Sequence, residues 1–400
     1  MLKRMEVTLL SCILCMVLLT GCYPMSRETG SSSKDWESLL AELKETAPNE
    51  LPEHLEAEVS EYLKIDAIVE TYSELMEYAA PNVEMSLHVY DQHETVDTLL
   101  KYMGNPEVVG WKEVVKDDEF YPDGRPVSFY EATLPSVNPE ISANAVQARD
   151  FYFFVWNTDD SPFCDMFGNR GNYATHSLNR IEGYADDTDL SFATRADVDT
   201  MIAECMDELG LAYRPWEQHV CTSEDLKDKA EAYEEQYKDD EFYMSFLHTD
   251  ISEEAGVYFR AFCQYFNDIP VIPYYANSGE ITGNPWYGRT YAYCVYGQDG
   301  IEDFSTYGAM DYVGTKDTQN LISFGDALEL YVNARNSAAV SEQHTIKRAG
   351  LYYLPQQTQV EGYVFEAKPV WVFVCDKADP WEGESRYMVI YDAVTGEKIM

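Results

Sequence analysis

An α+β fold, with antiparallel sheets packed by amphipathic helices, is what this sequence predicts, on three observations. Short alternating or wholly apolar runs, VEMSLHVY (83–90), SFYEATL (128–134) and DFYFFVW (150–156), have the length and period of strands. Apolar stripes at three- and four-residue steps, clearest at Val198, Met201, Ile202, Cys205, Met206 and Leu209, have the period of helices. A hydrophobic content of 46% against 25% charged residues suffices for a real core, and 400 residues exceed one typical domain.

The N-terminus is a secretory signal. Lys3 and Arg4 precede the apolar run Val7–Leu19, whose 13 residues would rise about 20 Å as a helix, short of a bilayer. The run ends in LLTGC (18–22), which resembles the lipobox of bacterial lipoproteins. That resemblance implies cleavage between Gly21 and Cys22 and acylation of Cys22, with more than one acyl chain giving lasting attachment. Residues 1–21 are then signal peptide, Cys12 and Cys15 leave with them, and the small polar stretch 22–34 is a flexible tether.

Residues 35–185 read as a helical plus β-rich N-terminal domain. Trp36, Leu39, Leu40 and Leu43 trace an amphipathic helix that Pro48 ends. Pro52 opens a second, longer helix, with Leu55, Val59, Tyr62, Asp66/Val69, Tyr72, Met76 and Ala79 on one mostly apolar face and Pro81 closing it. Strands follow from 83. The loop after DFYFFVW holds Asp159, Asp160, Asp165, Asn169 and Asn172, oxygen ligands dense enough for Ca²⁺, but at no Ca²⁺-loop spacing. They read as turn residues, and no metal or other cofactor is expected.

Residues 186–400 read as an α+β region with an internal repeat. LSFATRADVDTMIAECMDELGLAYRP (190–215) and the segment from Ile322 to Pro355 each open with Ser-Phe, continue as a helix and end in Gly-Leu-x-Tyr-x-Pro. Thr194 with Asp197 forms a capping-box pattern, Gly210 suits the position after a helix, and Ser323 caps a helix whose Ala327, Leu328 and Tyr331 face inward. Between the copies lie an acidic helix (223–238), strands, a hairpin turn at Gln298-Asp299-Gly300, and a PVIP segment (270–273) suited to an edge or loop.

Charge excludes one function class. With 71 acidic against 28 basic residues, a net charge of −43, the surface repels nucleic acid and anionic headgroups. Six cysteines remain after the signal and Cys22: Cys164, Cys205, Cys221, Cys263, Cys294 and Cys375. Their number permits three disulfides with 15 connectivities, while their wide spacing and apolar settings favour small buried side chains. Catalytic motifs are missing. His88 and His93 come nearest to a metal pair, Cys164 with His176, Asp159 and Asp165 nearest to a nucleophile–base set, and Asp186/Asp187 and Glu253/Glu254 are paired acids of the kind that glycan chemistry uses. None has a spacing that fixes geometry, and the 31 tyrosines suit strands as well as sugar stacking.

The C-terminal part carries a resemblance. ISFGDALELYV (322–332), LYYLP (351–355), AKPVWVFVC (367–375) and YMVIYDAVTGEKI (387–399) look like the C-terminal domain of YycI-type regulatory proteins and, more loosely, a PepSY-like module. In these a helix precedes strands bearing Pro-x-Trp, and a last strand ends in Asp-Ala-x-Thr-Gly; Pro369, Trp371, Asp392, Ala393, Thr395 and Gly396 fit. FNDIPVIPY and AYCVYGQDGIEDF extend the likeness to about residues 245–400, and the repeat would then be tandem units. The whole chain also resembles uncharacterised lipoproteins of clostridial Firmicutes.

YycI-type proteins modulate a sensor kinase from the outer face of the membrane, and PepSY modules are associated with restraining secreted proteases. The resemblance therefore implies a non-enzymatic binding or regulatory lipoprotein of a Gram-positive envelope, lipid-anchored on the extracytoplasmic face, with another envelope protein as partner. YycI-type proteins use a membrane helix where this chain uses lipid, which sets the kinase role apart. The alternative is a ligand-binding lipoprotein for a sugar, peptide or cation, and after it an envelope hydrolase.

Overall fold

The computed structural model describes residues 36–120, 124–136, 144–157, 161–167, 188–239, 244, 251–272, 290–337, 342–359, 363–379 and 383–399. The chain divides into two units, residues 1–39 and 40–400. The first contributes only the opening turn of one helix to the described residues; everything else below belongs to the second.

In chain order the elements are α1 (Trp36–Glu45), a 3-10 turn (Pro48–Glu50), β1 (His54–Ser60), β2 (Leu63–Val69), β3 (Ala79–Leu87), α2 (Gln92–Tyr102), β4 (Gly110–Phe120), β5 (Pro126–Thr133), β6 (Ala145–Arg149) and β7 (Tyr152–Trp156). There follow α3 (Pro162–Phe167), α4 (Arg195–Glu208), β8 (Tyr213–Cys221), α5 (Ser223–Tyr237), β9 (Val257–Phe266), β10 (Ile269–Pro270), β11 (Tyr291–Gly297), β12 (Gly300–Tyr307) and β13 (Met310–Asn320). The chain closes with α6 (Phe324–Ser337), β14 (His344–Gln359), β15 (Val364–Asp379) and β16 (Gly383–Asp392). The protein is α+β, and among the described residues no helix is long and apolar enough to cross a membrane.

Two sheets organise these strands. The first runs β1-β2-β14-β15 and then divides: β3, with β13 outside it, takes Val364–Ala367 of β15, and β16 takes Val370–Asp379 of the same edge. Its pairings are antiparallel except β2 with β14. The second runs β4-β5-β6-β7-β12-β11-β9, with β8 and β10 end to end on the far edge of β9, all antiparallel. Both sheets take strands from either side of residue 185, so a boundary at 185/186 cuts both rather than separating two domains.

The long helix expected from Pro52 to Ala79 is instead the β1–β2 hairpin, a connection and the start of β3. Two periods compete in this stretch. Leu63, Ile65, Ala67 and Val69 alternate with Lys64, Asp66 and Ile68, and this period of two wins because the first set buries against the sheet. Tyr62 and Met76, placed on the helical face by the sequence, are exposed. Pro81 does not stop a helix; it sits in β3 opposite Thr318, where the β13 ladder is irregular and a missing N–H is tolerated.

Other local readings hold. Thr194 Oγ1 accepts from Asp197 N at 3.2 Å and Ser323 Oγ from Asp326 N at 3.1 Å, capping α4 and α6, and Thr222 with Asp225 forms a full capping box on the acidic helix α5. Gln298 and Asp299 turn the β11–β12 hairpin, closed by Gly300 at φ 102°. Ile269–Pro270 lies on a sheet edge, and just beyond it Ile272 N donates to Tyr353 O at 3.0 Å, joining the two sheets. The repeated word is less regular. Gly210 follows α4 at φ 72°, whereas Gly350 is inside β14, where an added Cβ would lie 2.6 Å from Glu70 Cγ. The two glycines answer different needs, one a backbone angle and one a close approach.

The second sheet buries one face under α2 and α4, with Leu99, Ile202, Phe153 and Phe304 central, and part of the other beneath α3 and α5. In the first sheet, Trp371 and Phe373 meet Phe324 and Tyr331 of α6, while Tyr352, Val372 and Ile390 pack with Ile272 on the opposite face. Cys164, Cys205, Cys221, Cys263, Cys294 and Cys375 are all buried as free thiols.

Candidate interaction surface

The six C-terminal motif residues come together as one structural clamp. β15 and β16 pair from Val370↔Asp392 to Asp379↔Gly383, so VWVFV and YMVIY are neighbours. Asp392 Oδ1 then accepts from Val394 N at 2.9 Å and Thr395 N at 2.8 Å, Thr395 Oγ1 from Glu397 N at 3.2 Å, and Gly396 turns the chain at φ 71°. Ala393 is fully buried; its N–H reaches Pro369 O at 3.2 Å, and its carbonyl accepts from Ile322 N at 2.8 Å. Trp371, also fully buried, donates Nε1–H to Ile322 O at 3.2 Å. Trp371 and Ala393 thus hold the last strand to the entry of α6, while Asp392, Thr395 and Gly396 form the turn that closes it.

The chemical candidates separate. Gly21, Cys22, Asp159, Asp160, Asn169, Asn172, His176, Asp186 and Asp187 lie outside the described residues, as does the side chain of Asp165. Cys164 is buried with its Sγ 3.8 Å from Glu302 Oε2, a carboxylate that Ser161 Oγ also contacts. His88 pairs with Asp311 at 2.9 Å, whereas His93 stacks on Tyr130 at 3.8 Å, so the two histidines serve different partners. Glu254 accepts from Gln298 at 2.9 Å on the surface. His54, Glu56 and Asp66 bring three potential ligand atoms within 4.8 Å on the β1–β2 hairpin, but Lys347 Nζ already stands 3.1 Å from Asp66.

Two polar clusters went unseen in the sequence. At the junction of the sheets, Arg348 of β14 binds Glu70 at 2.6 Å and lies over the Trp216 ring at 4.4 Å, while Tyr352 Oη donates to Glu70 at 2.8 Å. Burial works against the charge of Arg348, but Glu70, Tyr352 and Glu217 together hold its pKa above the ordinary value. On β12, Asp303 is fully buried with Tyr293 Oη at 3.1 Å and Ser305 Oγ at 3.3 Å. Burial pushes its carboxyl up to about 7 against those two hydrogen bonds.

The surface feature that stands apart is the outer edge of β4. Among the described residues this strand pairs only with β5, leaving its other row of backbone groups open. Val109, Trp111 and Val115, spaced by even numbers, are 59%, 51% and 56% exposed. Trp111 stacks on Tyr130 at 5.3 Å, and Tyr130 on His93, making a three-ring stack that ends at the surface. The opposite face of the strand is tied down: Lys112 Nζ reaches Glu131 at 2.6 Å, Gln147 Nε2 donates to the same carboxylate at 2.7 Å, and Arg149 Nε to Gln147 at 2.9 Å. The result is a fixed edge with aromatic and aliphatic groups in solvent, a geometry suited to adding a strand from another chain. VVGWKEVVK carries the signal in its alternation, but nothing in the sequence marks it as an edge.

No family model matches the chain, and no curated protein matches it. Among solved structures it is similar to the crystal structure of an uncharacterized protein from Eubacterium rectale ATCC 33656, with a TM-score of 0.69 and 15% identity over 92% of this chain and 99% of that one. At that identity the likeness is one of fold. YycH from Bacillus subtilis aligns over 77% of this chain and 96% of its own with a TM-score of 0.18 and 11% identity.

Proposed function

We propose that this chain is a lipid-anchored, extracytoplasmic binding module that docks and regulates another envelope protein and turns over no substrate. The location rests on the Leu19–Cys22 lipobox. The mode of action rests on the β4 edge, where an open backbone row runs beside exposed Val109, Trp111 and Val115. A partner segment would add as an extended strand, its backbone pairing with β4 and its apolar side chains meeting these three residues. A second copy of this chain is disfavoured as occupant, because each carries a net charge of −43; a segment rich in Lys or Arg is favoured.

A photo-crosslinking residue in place of Trp111, in cells that process the full chain, tests this. The expected result is a covalent adduct with one envelope protein, lost when Val115→Lys is added. Absence of any adduct above a control probe at exposed Tyr312 would overturn the proposal.

A further inference from the structure

Beneath the last turn of α6 a string of polar side chains runs through the first sheet. Cys375 Sγ of β15 donates to Tyr331 Oη of α6 at 3.2 Å, the Tyr331 and Tyr387 hydroxyls are 3.4 Å apart, and Tyr387 Oη of β16 lies 2.8 Å from His344 Nδ1 of β14. The string ends on unmet hydrogen-bonding capacity. His344 is 4% exposed, and its Nε2 is buried with no partner among the described residues; Nη2 of Arg335 is in the same position. Arg335 follows Tyr331 by four residues and so shares its helix face.

Both orphans can donate. The guanidinium can only donate. When the Tyr387 hydroxyl donates to Nδ1, the imidazole hydrogen sits on Nε2. Lys377 stands directly opposite His344 in the β14–β15 ladder, adding a second fixed cation. In a chain with 71 acidic residues, Arg335 forms no salt bridge with any carboxylate among the described residues. A buried donor left unmet costs roughly 1–3 kcal/mol, which proteins avoid unless a water or ligand meets it.

We propose that this end of the string is a binding site for a small oxyanion, a carboxylate or a tetrahedral anion such as sulfate or a phosphate ester, held between Nε2–H of His344 and the Arg335 guanidinium. Binding is proton-linked. His344 faces Arg335 and Tyr331 from α6, Lys377 and Cys375 from β15, Tyr387 from β16, and Glu342 on its own approach. Burial first, then Arg335 and Lys377, hold its pKa below the ordinary 6.5 against the pull of Glu342, so the empty site keeps the ring neutral at neutral pH. A bound anion favours imidazolium, so affinity rises as pH falls, by up to about tenfold per unit for one proton taken up.

Inorganic sulfate and acetate, both of which stay predominantly anionic between pH 5.5 and 7.5, are the probes. They are titrated into the purified full chain by calorimetry and by NMR of the His344 ring. The site predicts saturable binding of at least one of them, at least tenfold tighter at pH 5.5 than at 7.5, with the His344 resonance moving in step. Arg335→Met, which keeps the side-chain stem, should abolish it while the thermal transition is retained. Absence of saturable binding, an unmoved His344 resonance, or full binding by Arg335→Met would each overturn the proposal. The preferred probe separates planar from tetrahedral anions.

Discussion

Arg348 and Glu70 are 278 residues apart and meet at 2.6 Å, each about one-tenth exposed, where the end of β2 passes β14 and Trp216 of β8 covers the guanidinium. The ion pair thus ties two strands of the first sheet, and through Trp216 the pair reaches the second. Removing the cation leaves Glu70 buried with two neutral donors, Tyr352 and Trp216. Arg348→Met should lower the unfolding free energy by about 3–5 kcal/mol, and adding Glu70→Gln should restore part of it. Urea melts of the two single variants and the double check this; additive losses would mean that the pair is not coupled.

The closing turn makes a local prediction. Asp392→Ala removes the acceptor for Val394 and Thr395 N–H and should cost about 1–2 kcal/mol. Gly396→Ala should cost a similar amount, because the residue has φ 71° and a Cβ there would stand 2.9 Å from Leu330 Cδ1. Both should shift the denaturation midpoint and leave the slope unchanged.

Asp303 predicts a pH dependence. Its carboxyl titrates near 7 in the folded chain against 3.8 when free, so between these values the folded state holds a proton that the unfolded state has released. Its contribution to stability is fully present below pH 3.8 and declines until the folded carboxyl ionises near 7. Asp303→Asn keeps the shape and should flatten this part of the stability profile, measured by chemical denaturation at half-unit pH steps. A profile identical to the parent would rule out Asp303 as its source.

The lipobox predicts that Cys22→Ala abolishes incorporation of labelled fatty acid and releases the chain from the membrane fraction. Continued labelling of that variant would remove the anchor from the functional proposal.

Local chemistry was legible in the sequence, and distant pairing was not. The caps at Thr194 and Ser323, the Gln298-Asp299 turn and the strand ending at Asp392–Gly396 depend on residues within a few positions of one another, and each formed as read. Residues 54–69 carried two apolar periods, and only the arrival of β14 on β2 decides between them. The same limit hid the interaction surface and the Arg348–Glu70 ion pair. Trp111 looks like any strand aromatic until β4 proves to be the last strand of its sheet, and Arg348 looks solvent-exposed until Glu70 is beside it.

The shared edge of β15 has a kinetic consequence. β3, finished by residue 87, and β16, which begins at residue 383, dock end to end on one strand, and β2 finds β14 only after some 280 intervening residues. During synthesis the N-terminal hairpin and β3 therefore have no template, and the first sheet closes only when the last few dozen residues emerge. Such contacts fold slowly, because a long loop must be closed before any burial rewards it. The strands of the first sheet that are made early stay unpaired until β14, β15 and β16 follow them.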